Sequence, residues 1–134
     1  MNKTESPTKN RKTKNNKKEQ TRLMNAILEG IFQKKGENIL SINLTKIPEA
    51  VSDYFIIAEA TSPLQVRAIA DSVEDVVLNQ TGERPYHVEG RQHANWIIID
   101  YIEFVVHIML PQIRNFYQLE ELWSDAPINN HVDN

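Results

Sequence analysis

Cysteine is absent from this chain of 134 residues. Disulfide staples, thiolate metal sites and cysteine nucleophiles are thereby excluded, an absence that suits a reducing cytosol. Long apolar runs are missing too. No stretch approaches the roughly 20 residues that a membrane-spanning helix needs, and the N-terminus lacks the apolar core of a signal peptide. The expectation is a soluble, unexported protein that makes no membrane contact. Catalytic signatures are equally scarce. No Asp-x-Asp pair occurs to hold magnesium ions for nucleotidyl transfer, no closely spaced histidine pair occurs for zinc, and no Gly-x-Ser-x-Gly elbow presents a serine. His87, His93 and His107 lie in one half of the chain near Glu89 and Asp100, without the short spacings of a metal site. His107, set among valines, reads as a hydrogen-bonded core histidine. A Ser62–His107–Asp100 triad can be written on paper, but Ser62 is better explained as a helix cap.

What is present is an uneven distribution of charge. The net charge of −3 divides sharply: residues 1–22 hold eight Lys or Arg against two Glu, a balance of +6, and the remainder holds seven basic against sixteen acidic residues, a balance of −9. Residues 1–18 are rich in Lys, Asn and Thr and almost free of large apolar side chains, so they are expected to be a disordered basic tail. A domain is expected over 19–126, long enough for a hydrophobic core, and a flexible C-terminal tail over 127–134. No internal repeat is visible.

Within the domain, Leu23, Ile27, Leu28 and Ile31 recur at helical spacing and predict a helix from about Glu19 to Lys35, stopped by Gly36. Residues 39–44 alternate as a half-buried strand, and 54–58 are more apolar. Ser62, Pro63 and Gln65 form a strong helix start. Val66, Ile69, Ala70, Val73, Val76 and Val77 then make one stripe, ended near Thr81 and Gly82. A short strand is expected over 86–89. Trp96 to Leu110, WIIIDYIEFVVHIML, reads as two buried strands paired as a hairpin across a tight turn. Pro111 opens a last helix, with Ile113, Phe116, Leu119, Leu122 and Trp123 facing inward. The order α-β-β-α-β-β-β-α predicts an α/β (α+β layer) fold, a five-stranded mixed sheet covered by helices. The rim of the hairpin groups aromatic and acidic side chains, the chemistry of protein-recognition surfaces.

Five segments in series also carry a resemblance: SDYFIIAEATS (52–62), IADSVED (69–75), HVEG (87–90), WIIIDYIEFVVHIML (96–110) and RNFYQLEELWSDA (114–126). Together they resemble the ribosomal silencing factor family, also called Iojap or YbeB-like, over about residues 20–126. The resemblance implies a fold similar to nucleotidyltransferases without their catalytic site, and no cofactor. It implies a cytoplasmic, ribosome-associated translational repressor, bacterial in type, that binds the large ribosomal subunit through ribosomal protein L14 and blocks joining of the small subunit. It is compatible with a homodimer. The surface it implies falls on Trp96, Asp100, Tyr101, Ile102, Glu103 and Phe104. Here the chain departs from the family's Asp-Tyr-Gly-Asp turn, having Ile102 for glycine and Phe104 where valine is usual, so a different turn geometry is expected.

Two other readings compete. An enzyme related to nucleotidyltransferases, with displaced carboxylates at Asp53, Glu59 and Asp100, rests on fold analogy alone. An RNA-binding module would act through Lys9, Arg11, Lys12, Lys14, Lys17 and Lys18, whose charge adds salt-dependent affinity for phosphates.

Overall fold

The computed structural model describes residues 13–133, with side chains from residue 17 onward. In chain order the elements are helix α1 (Thr13–Gln33), strands β1 (Glu37–Asn43) and β2 (Tyr54–Glu59), helix α2 (Pro63–Thr81), strands β3 (His87–Glu89), β4 (Trp96–Asp100) and β5 (Phe104–Met109), short helices α3 (Pro111–Tyr117) and α4 (Leu119–Leu122), and strand β6 (Ile128–His131). The strands form one mixed sheet in the order β3-β4-β5-β2-β1-β6. Its central pair, β2 with β5, is parallel, and the other neighbouring pairs are antiparallel.

Helices α1 and α2 pack on one another and cover one face of this sheet. Leu23, Ala26, Ile27 and Ile31 of α1 join Val66, Ile69, Ala70, Val73 and Val77 of α2 and the sheet residues Ile56, Ala58, Ile97, Ile99, Phe104, Val106 and Ile108 in one buried cluster. Each fully buried aliphatic side chain contributes about 1.5–3 kcal/mol. The helices approach closely at Gly30, where an added β-carbon would lie 2.6 Å from Val73 Cα, and Ser72 Oγ donates to Gly30 O at 2.8 Å. The predicted start of α2 is present. Ser62 is its N-cap and accepts from the Gln65 amide, with Pro63 at the first position and Gly82 closing the C-terminus at φ 78. Gln65 Oε1 accepts from the backbone of Thr61, not of Ser62, at 2.7 Å. Its Nε2 donates to Lys34 O and Lys35 O, tying the end of α1 to the start of α2.

Several sequence expectations need correction. Helix α1 begins at Thr13, inside the expected tail, because a helix nucleated on its buried stripe propagates at little cost into the residues that precede it. Residues 1–12 lie outside those described. The sheet has six strands, not five: Ile128–His131, expected as flexible tail, pairs with β1. The sequence INNH shows no alternation because this edge strand is held by backbone pairing and by His131 Nε2 against Ser41 Oγ at 2.8 Å, with burial lowering the His131 pKa. The last helix is broken in two at Gln118, which stands at φ 47. In consequence Phe116 and Leu122, expected to face inward, are exposed.

Candidate functional site

The second face of the sheet is only partly covered. Met109, Ile57 and Ile42 are buried beneath Leu119, Ala126 and Leu44, with Ile113 and Trp123 packed alongside. Towards β4 this cover ends. Strand pairing sets Asp100 beside Val105 and Val105 beside Phe55, and in the next row Ile98 beside His107 and His107 beside Ile57. Ile98, Val105 and Phe55 are all half-buried. A run of rings borders this opening. Trp123 meets Phe55 edge-on at 6.3 Å, Phe55 lies 4.7 Å from His107, and Trp96 contacts both His107 at 5.9 Å and Tyr117 at 4.9 Å. Tyr117 meets Phe116 at 5.0 Å, and Phe116 is 78% exposed. Large, stiff, partly wet rings beside open aliphatics are the composition of a protein-contact surface.

His107 organises the floor. The Trp96 indole N–H donates to its Nδ1 at 3.1 Å, and since indole is a donor only, the imidazole proton sits on Nε2. That Nε2 has no partner among the described residues. Burial pushes the His107 pKa down to about 4, so the ring is neutral near pH 7 and the floor carries no charge. The expected hydrogen-bonded core histidine is what stands there.

Helix α3 is held in place by Arg114, 6% exposed. Its guanidinium donates to Asn38 O at 2.6 Å, Glu59 Oε2 at 3.2 Å and Glu120 Oε2 at 3.1 Å. One cation thereby links β1, β2 and α4. Tyr117, three residues further along the same short helix, takes its place against Trp96 from that anchor.

The residues expected at the contact surface separate into two groups. Trp96, Asp100 and Glu103 are half-buried, and Ile102 is exposed. Tyr101 and Phe104, expected beside them, are buried in the helix-covered cluster. Phe104 alternates to the opposite face from Val105 and stacks on Tyr54 at 4.9 Å. Asp100 Oδ1 accepts from the Ile102 amide at 2.7 Å, and Tyr101 N–H donates to Phe104 O at 2.8 Å. Ile102 itself takes φ 76, so isoleucine occupies the left-handed conformation that the family's glycine would adopt freely. Ile98, Val105, Phe55 and Tyr117 are not marked as contact residues by the sequence, and Phe116 reads there as core. A triple Ile97–Ile98–Ile99 conceals which member points outward, whereas the His107 ring and the Trp96 spacing were visible.

The carboxylates proposed for metal chemistry do not converge. Asp53 accepts from Gln20 Nε2 at 2.9 Å, Asp100 caps the turn, and Glu59 pairs with Arg114. Asp53 immediately precedes β2 and Glu59 ends it, about 20 Å apart along an extended chain. Of the basic residues, Lys17 and Lys18 are exposed on α1 and Lys14 lies in its first turns. Lys9, Arg11 and Lys12 fall outside the described residues. No described helix is long and apolar enough to cross a membrane.

Comparison with known proteins gives a consistent picture. The family model described as ribosomal silencing factor during starvation matches residues 13–134. The ribosomal silencing factor RsfS of Bacillus subtilis is 37% identical over 95 residues, covering 71% of this chain and 79% of that protein. The mouse mitochondrial assembly of ribosomal large subunit protein 1 is 30% identical over 66% of this chain and 40% of its own length. A crystal structure of a Chromobacterium violaceum protein superimposes with TM-score 0.71 at 30% identity, covering 83% of this chain and 91% of that one. One from Bacillus halodurans gives 0.69 at 31% identity, over 80% and 95%. With the match running from the first described residue of α1 through β6, this chain belongs to the ribosomal silencing factor family.

Proposed function

We propose that this protein represses translation without catalysing a reaction, by docking on the large ribosomal subunit through ribosomal protein L14 and excluding the small subunit from the joining face. The observation that carries this reading is the open sheet face: half-buried Ile98, Val105 and Phe55, bordered by Trp96, Tyr117 and exposed Phe116, in a chain whose relatives are named for silencing or assembling ribosomes. Asp100 and Glu103 lie at the end of that face and give it an acidic margin on a body of charge −9 beyond residue 22. Negative charge steers such a body towards a basic ribosomal protein and raises the on-rate. Desolvated aromatic and aliphatic contacts then set the off-rate. Trp96, Asp100, Ile102 and Glu103 contribute at the surface, and Tyr101 and Phe104 act from beneath by fixing the hairpin. Repression follows from occupied volume and requires no bond to be made or broken. The dispersed carboxylates favour this over the transferase reading.

Co-sedimentation of the purified protein with large subunits, followed by a subunit-joining assay, tests the proposal. Phe116→Ala and Ile98→Asp change the surface without emptying the core. Each is expected to loosen docking about 30-fold or more, the effect of losing one 2 kcal/mol contact. Wild-type protein that fails to co-sediment, or that binds and leaves joining unaffected, would sink the reading.

A further inference from the structure

Residues 44–53 join β1 to β2 and close on themselves. Leu44 N–H donates to Asp53 O at 2.7 Å, and inside the loop Ile47 N–H donates to Leu44 O and Ala50 N–H to Ile47 O. The amides of Asp53 and Tyr54 both donate to Glu103 O, at 2.9 and 3.0 Å, which ties the loop to the acidic turn. Compact loops whose ends meet in this way are packed by their own side chains. Here the packing is incomplete. Leu44, Ala50, Val51, Ser52, Phe55 and Trp123 line a cavity of about 120 Å³. Val51 is 97% exposed, so the cavity opens at the surface and carries an apolar side chain on its rim. Ser52 is 6% exposed, and its hydroxyl has no partner among the described residues. Buried hydroxyls are nearly always bonded, so this wall holds a donor that lacks its acceptor.

We infer that this cavity is a socket of the docking face, which receives one side chain of the partner protein with the chemistry of methionine. The inference rests on the docking proposed above and names what that face grips. Phe55 and Trp123, which meet edge-on, belong both to the border of the open sheet face and to the cavity wall. Leu44, Phe55 and Trp123 pack on the same side of the sheet as Ile57 and Met109. A partner lying over Ile98 and Val105 therefore reaches the cavity along one continuous surface. Its size selects a single side chain. Small-molecule sites run to about 300–1,000 Å³, whereas an apolar cavity of about 150 Å³ holds one benzene ring. The walls, Ser52 apart, are apolar, so a charged group entering them would lose its water without compensation. A thioether suits every wall: its sulfur is attracted to aromatic ring edges, and it is a weak acceptor for the Ser52 hydroxyl. Leucine would fill the space and leave that hydroxyl unbonded. Glu49, exposed on the cavity lining, adds a third carboxylate to the margin formed by Asp100 and Glu103, in keeping with a basic partner.

The experiment has two arms. In the first, ethyl methyl sulfide, the methionine side chain as a free molecule, is titrated into the full chain while NMR follows the methyl signals of Ala50 and Val51 and the indole N–H of Trp123. Saturable shifts at all three are expected in wild type and not in Ala50→Leu, which fills the cavity from its own wall. Shifts that never saturate, or that are equal in the two proteins, would overturn the socket. Ser52→Ala is expected to weaken sulfide binding about threefold, the loss of one weak hydrogen bond, and unchanged binding would overturn the choice of a thioether. The second arm is large-subunit co-sedimentation. Ala50→Leu is expected to loosen docking about tenfold or more, and Val51→Ser, which changes only a surface side chain, about threefold. Their melting temperatures are measured alongside, and Val51→Ser decides alone if leucine disturbs the loop. Docking that is lost in Ile98→Asp but kept in both cavity variants would sink the socket and spare the docking reading. No docking by wild type would sink both. Self-association of wild type in sedimentation velocity that Ala50→Leu abolishes would give the cavity to a second copy of this chain and overturn the inference as well.

Discussion

Tyr101 keeps its hydroxyl inside the protein with no partner among the described residues, and burial, reinforced by Glu83, pushes its pKa far up. A buried hydroxyl with nothing to bond costs about 1–3 kcal/mol, while the ring earns its place by packing. Tyr101→Phe keeps the ring and removes the cost, so it is expected to stabilise the fold by about 1 kcal/mol in urea denaturation. His107 makes a different case. Its folded pKa of about 4 lies below the ordinary 6.5, so on acidification the unfolded chain takes up a proton that the folded one refuses. The stability contributed by the neutral ring is complete above about pH 6.5 and is lost as pH falls towards 4, at about 1.4 kcal/mol per unit. Between pH 7 and pH 5 wild type is expected to lose roughly 2 kcal/mol more than His107→Gln, whose amide oxygen can still accept from Trp96. Parallel loss in the two proteins would refute that account.

At the scale of elements, the hairpin turn and the helix pair each depend on one backbone position. Ile102 is 57% exposed at φ 76, a conformation that costs a side-chain-bearing residue about 1–2 kcal/mol. Ile102→Gly relieves it, partly offset by the greater freedom of glycine in the unfolded chain. The net expectation is a gain of about 0.5–1 kcal/mol, read as a raised melting temperature. Gly30 works in the opposite sense. Alanine is the better helix former by about 1 kcal/mol, but its β-carbon would meet the Val73 backbone at 2.6 Å, and backbone cannot rotate away. Gly30→Ala is therefore expected to separate α1 from α2 and destabilise by about 1–3 kcal/mol. What could be read from the sequence at this scale follows how local the determinant is. Ser62, Pro63 and Gly82 act within a few residues, so α2 was legible from end to end. The break at Gln118 carries no glycine or asparagine to announce it, and β6 is specified by the free edge of β1, which no local pattern encodes. The candidate site was half legible for the same reason. Trp96 and the acidic turn could be read directly, whereas Phe55, Ile98 and Val105 become neighbours only once three strands are in register.

For the molecule as a whole, the edges of the sheet matter as much as its core. Strand β6 pairs with β1 over four residues, and Pro127 O accepts from Asn43 N–H at 2.9 Å. Without that strip, β1 presents a row of unpaired amides and carbonyls, a template for another chain. Removing residues 127–134 is expected to lower stability by about 1–3 kcal/mol through the lost ladder bonds. It should also give concentration-dependent association in sedimentation velocity, where the full chain does not change with concentration over the same range. A monodisperse truncated protein would show that the edge is protected in another way.

The parallel pairing at the centre has a consequence for the protein's own birth. Tyr54 aligns with Phe104, so the inner edge of β2 waits for β5 to be synthesised. At about 5–20 residues per second that delay is roughly 3–10 s. Until then the first hairpin is half a sheet with its apolar side bare, and a nascent chain that pauses between the two strands is the form most open to capture by a chaperone.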